Sequence, residues 1–129
     1  MTTGAYEGLV DACNACADAC DRCLSACLLE ADVAHLTRCI ALDLECAQTC
    51  RLLAGFAVRG SKFAGGVAAA CLTLCEACAE ECGQHQHDHC VRCAEACRAC
   101  AAACRRLLEI RPEAMPEAGG ASPSAPVAR

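Results

Sequence analysis

Seventeen of the 129 residues are cysteine, and their spacing is regular. Cys13, Cys16, Cys20, Cys23 and Cys27 advance in alternating steps of three and four. So do Cys71, Cys75, Cys78 and Cys82, and again Cys90, Cys93, Cys97, Cys100 and Cys104. Cys39, Cys46 and Cys50 form a sparser set. Three–four alternation is the seam that a helix turns toward its partners in a bundle. Thiols therefore stand where Leu and Ile usually pack. Cysteines are too small to fill such a core, so ordinary filler does not account for them. Disulfides three or four residues apart would cross-link nothing distant, and an odd count leaves one thiol over.

Thiolates are soft ligands that select Cu(I), zinc or iron–sulfur clusters. Iron–sulfur motifs such as Cys-x2-Cys-x2-Cys-x3-Cys-Pro are absent, and Cys-Pro does not occur. Structural zinc takes isolated quartets, commonly with a short Cys-x2-Cys knuckle, whereas these cysteines form long ladders. Cu(I) is satisfied by two or three sulfurs, and thiols at i, i+3 or i, i+4 lie ~5–6 Å apart at Cβ. The pattern thus points to many Cu(I) ions per chain. A zinc or cadmium thiolate buffer, or a redox or iron–sulfur protein, is the alternative. The only methionines are Met1 and Met115, so thioethers are not expected inside the bundle.

Other donors join the cysteines. Asp43 completes a 39, 43, 46, 50 rhythm and would point a carboxylate inward; Leu42 serves the seam as well, which leaves Asp43 to solvent. His85, His87 and His89 cluster in one turn, and His35 lies at the start of the second helix. His85 is three residues beyond Cys82 and His89 four before Cys93, so both are read as ligands at a mouth where metal is taken up. His87 and His35 stay open between ligands and solvated turn residues. Cys90 falls in the first turn of the last helix, where the helix N-terminus favours a thiolate.

These groups require long helices to carry them. All four prolines lie at 112, 116, 123 and 126, and the first 111 residues have none. Four helices are expected, over about residues 5–29, from 33 to about 54 with Asp32 as N-cap, from 62 to about 83 with Gly83 just past the end, and 88–110. Gly55, Gly60, Gly65 and Gly66 mark the longer connection. Short links make neighbouring helices antiparallel, so the fold class is all-α, an up-down-up-down four-helix bundle over 1–111. The Pro/Ala/Gly/Ser-rich stretch 112–129 reads as a flexible tail. Leu9, Leu52, Leu53, Phe56, Phe63, Val67, Leu107 and Leu108 are expected to plug the end opposite the histidines.

Net charge is −5 and no basic stripe faces nucleic acid. No stretch reaches the ~18 apolar residues of a membrane span. The first residues lack a secretory or twin-arginine signal, so the expected compartment is the cytoplasm, where thiols stay reduced. No nucleophile–base pair suggests an enzyme.

The run 35–50, with His35, Cys39, Asp43, Cys46 and Cys50, resembles the second helix of the bacterial copper storage proteins. Cys82-Gly83-Gln84-His85-Gln86-His87-Asp88-His89-Cys90, followed by Cys93, Cys97, Cys100 and Cys104, resembles their third turn and last helix. The likeness covers about residues 9–108 and favours the cytosolic branch, since the exported branch carries a twin-arginine signal. It implies a homotetramer of four-helix bundles, many Cu(I) ions on core cysteines, and passage of metal near a His-rich mouth. By position it also implies that Asp43, His85 and His89 join the cysteines. A copper chaperone is the partner expected to deliver the ion. The Gly-rich second connection and the Pro/Ala tail depart from the family pattern.

Overall fold

The computed structural model describes residues 3–110. It contains four long helices: α1 (Thr3–Cys27), α2 (Thr37–Val58), α3 (Ala64–Cys82) and α4 (Asp88–Ile110), with a short 3-10 turn at Val33–His35. Each helix packs on the two beside it, and the diagonal pairs barely meet. The order is the expected up-down-up-down bundle. The stretch 112–129 and both methionines lie outside the described residues.

Helix ends differ from expectation at three places. Asp32 does not cap α2; its side chain makes no capping bond, and Leu36 holds the N-cap position. The Asp32 carboxylate instead accepts a hydrogen bond from His87 Nε2 at 3.1 Å. A tertiary partner has outcompeted the local backbone amides. The glycine-rich connection is also shorter than its composition suggests, since Gly55 lies within α2 and Gly65 and Gly66 within α3. Packing overrides the ~1 kcal/mol helix cost of each. Among the described residues only Gly60 is left-handed, at φ 64°. It closes α2, with Gly60 N–H on Ala57 O at 3.0 Å and Ser61 N–H on Phe56 O at 3.0 Å, the double bond of a Schellman end.

Gly83 is not a left-handed terminator, because its φ is −66°. It is required for a close approach. A Cβ there would stand 2.9 Å from Ala79 O and 3.0 Å from the Arg98 guanidinium. Arg98 of α4 thus reaches the carbonyl end of α3, where a cation is favourable.

The cores of the four helices are lined by thiols and alanines, which bring the helices together around a sulfur-filled axis. At the end away from the histidines, Leu9, Leu53, Leu107 and Leu108 are buried and Phe56 and Val67 pack against them. Tyr6 closes the same end. Leu52 and Phe63 are not part of this plug, being 52% and 65% exposed. Leu52 falls on the outer face of α2, out of phase with the seam, and Phe63 lies in the turn that precedes α3.

Candidate metal site

All seventeen cysteines are buried and unpaired. Their register follows from antiparallel packing: each step up α1 is matched by an equal step down α4. Cys13 lies 3.8 Å from Cys100, Cys16 3.7 Å from Cys97, Cys20 3.7 Å from Cys93 and Cys23 3.8 Å from Cys90. Helices α2 and α3 repeat this, with Cys50 3.6 Å from Cys71, Cys46 3.6 Å from Cys75 and Cys39 3.0 Å from Cys82. Links between the pairs run through Cys16 and Cys46 at 3.9 Å and through Cys50 and Cys100 at 3.8 Å.

The sulfurs do not separate into closed sites. Cys16, Cys46, Cys50 and Cys75 lie within 4.8 Å of one another, and so do Cys16, Cys20, Cys46 and Cys97. Cys20 and Cys97 recur with Cys78 and Cys93, and Cys50 and Cys75 recur with Cys71 and Cys100. With a metal–thiolate bond near the ~2.3 Å of zinc–sulfur, such spacing lets one ion touch three or four sulfurs. Cys16, Cys20, Cys46, Cys50, Cys75 and Cys97 each belong to two such groups, so each could serve two neighbouring ions. Monovalent ions suit this sharing, because one thiolate is neutralised per ion and charge does not build up in a dry core.

Asp43 interrupts the sulfur column. It is fully buried, while Leu42 lies at the edge of the core, so the carboxylate takes the seam position. Its Oδ1 accepts from Cys93 at 3.2 Å, Cys78 at 3.3 Å and Cys82 at 3.5 Å, and Oδ2 faces Cys39 at 3.8 Å. Burial, followed by the charges of Cys93 and Cys39, pushes the Asp43 carboxyl up to about 8. Its thiol neighbours are the partners that a buried carboxyl requires.

The histidine end is built from the α1–α2 and α3–α4 turns. His89 Nδ1 lies 3.4 Å from Cys23, 3.6 Å from Cys90 and 3.9 Å from Cys27. Together with Cys39, these three thiols form the outermost group of four. His85 is not brought to them; its Nε2 lies 2.9 Å from Glu81 Oε2. His87 is tied to Asp32 and Glu30 on the outer rim, and His35 is exposed. The helix N-terminus does not make Cys90 a ready thiolate. Burial, then the charge of Cys39, pushes its thiol up to about 11, and the same two causes raise Cys27. Metal binding at the mouth must therefore displace thiol protons.

Two residues at this end escape the seam pattern. Leu36 is fully buried beneath the rim, and Glu30 holds the far side of His89 at 2.8 Å. Both lie in the turn between α1 and α2, where no periodicity marks an inward residue.

The arrangement has close counterparts. A cysteine-rich protein of unassigned function from Bacillus subtilis, YhjQ, is 45% identical over 101 residues, covering 78% of this chain and 94% of its own. A Cu(I)-bound copper storage protein from Bacillus subtilis, BsCsp3, superposes with TM-score 0.76 at 44% identity, over 79% of this chain and 96% of its own. A cytosolic copper storage protein from Streptomyces lividans, loaded with five coppers, gives TM-score 0.80 at 42% identity, over 82% and 93%. The copper storage protein family model matches residues 2–109, a span that holds every thiol of the tube, and the chain belongs to that family.

Proposed function

We propose that the chain stores Cu(I) in the cytosol, binding many ions on the thiolates of its core. The observation that carries this reading is the column of buried, unpaired sulfurs, several of them shared between neighbouring groups of four. Copper is cargo here: each ion bridges two or three thiolates that it shares with neighbouring ions, and about one thiol proton leaves per ion bound. The ligands proposed are the seventeen cysteines, with Asp43 as a carboxylate inside the column and His89 as the imidazole of the mouth. His85 belongs to the rim and acts only if its ring leaves Glu81. The plug of Leu9, Leu53, Leu107 and Leu108 makes the histidine end the route for metal. The protein is a binding protein rather than a catalyst. A homotetramer, supplied by a copper chaperone, is the proposed assembly and source.

Anaerobic titration of the reduced protein with Cu(I) tests the reading. Storage gives roughly as many bound ions as thiols. Saturation near four ions per chain would instead assign a tetrahedral zinc or cadmium buffer, and visible charge-transfer bands in the purified protein would assign an iron–sulfur carrier.

A further inference from the structure

The α1–α2 turn places Glu30 against His89, although 59 residues separate them in the chain. Glu30 Oε2 lies 2.8 Å from His89 Nε2. A carboxylate oxygen only accepts, so Nε2 carries the proton, and in the neutral ring Nδ1 is left with the lone pair. That Nδ1 is the atom 3.4–3.9 Å from Cys23, Cys90 and Cys27. The carboxylate thus selects which nitrogen faces the thiols.

A second contact fixes the ring plane. His87 stacks on His89 with centroids 5.2 Å apart and planes within 5°. His87 is itself held at both nitrogens, by Glu30 at 3.4 Å and by Asp32 at 3.1 Å. Parallel rings cannot aim their in-plane lone pairs at one ion, so His87 braces His89 and does not share its metal. His89 is held on one edge by Glu30 and on one face by His87, and its Nδ1 edge faces sulfur.

We infer that Glu30 is a positioning residue for copper uptake, holding His89 with Nε2–H outward and Nδ1 aimed at Cys23, Cys27 and Cys90. This rests on the reading of His89 as the ligand of the mouth. Partners that orient a ligating imidazole typically matter about 10–100-fold. The effect falls on the rate of loading, because the seventeen core thiols are untouched.

The experiment compares anaerobic Cu(I) uptake by the wild type, Glu30→Ala, Glu30→Gln, His89→Ala and the Glu30→Ala/His89→Ala double variant. The Nε2–H proton of His89 is followed by NMR in the metal-free protein. Glu30→Ala is expected to load about tenfold more slowly, with unchanged capacity and loss of the slowly exchanging Nε2–H signal. Glu30→Gln keeps an acceptor oxygen, so it should retain that signal and most of the rate. The double variant should load no more slowly than His89→Ala, since Glu30 acts through the ring. Wild-type loading by Glu30→Ala alongside a slow His89→Ala would overturn the inference, as would effects that multiply in the double variant. Wild-type loading by His89→Ala would overturn the reading of His89 as the uptake ligand instead, and the Nε2–H signal would still show whether Glu30 holds the ring.

Discussion

Asp43 is fully buried among thiols, and this makes metal-free stability depend on pH in a calculable way. Its carboxyl is raised to about 8 from an ordinary 3.8. Between those values the folded chain holds a proton that the unfolded chain has released. Stability therefore falls as pH rises through this window, by ~1.4 kcal/mol per pH unit, and the loss is complete above the folded value. From pH 5 to pH 7 the expected loss is about 2–3 kcal/mol, a large share of the ~5–15 kcal/mol that holds a domain together. Asp43→Asn preserves shape and an acceptor for the thiols but has no proton to exchange. Anaerobic urea unfolding of the reduced, metal-free proteins, followed by far-UV circular dichroism across this range, measures the difference. The variant should gain on the wild type as pH rises. Parallel stability–pH lines for the two proteins would refute the argument, because they would show that Asp43 exchanges no proton on folding.

Three other outcomes follow from the geometry. His89→Ala should slow Cu(I) loading in stopped-flow measurements, and His85→Ala should slow it less, since Glu81 holds that ring; neither should lower capacity. Cys97→Ser removes a sulfur shared by two groups and should lower the anaerobic Cu(I) titration end point by about one ion, without dismantling the rest of the column. Leu53→Ala at the plugged end should cost about 2–5 kcal/mol in urea unfolding while the titration end point stays the same.

The cysteine steps of three and four were enough to read the bundle and its sulfur-lined axis, because a seam is a local pattern that helical geometry turns inward. Asp43 could not be decided from spacing, since Leu42 also fits between Cys39 and Cys46; only the rotation of α2 against α3 puts the carboxylate inside. Gly55, Gly65 and Gly66 misled for the opposite reason. Their local helix penalty is real, but packing of α2 and α3 outweighs it. Glu30 and Leu36 were invisible because they lie in a turn, where inward direction comes from the meeting of two connections. His85 and His89 look equivalent in sequence. The side chains of Glu81 and Glu30 separate them, one drawing its histidine aside and the other holding its histidine against sulfur.

The leucine floor at one end of the column gives the store an order. On the proposed route through the histidine end, a column closed at the leucine end would fill from the bottom and empty from the top, so that the ions deposited last leave first. Copper lodged beside Cys13 and Cys104 would turn over slowest, and brief shortages would draw only on recent deposits. A chain exposed to two copper isotopes in succession should give back the second before the first.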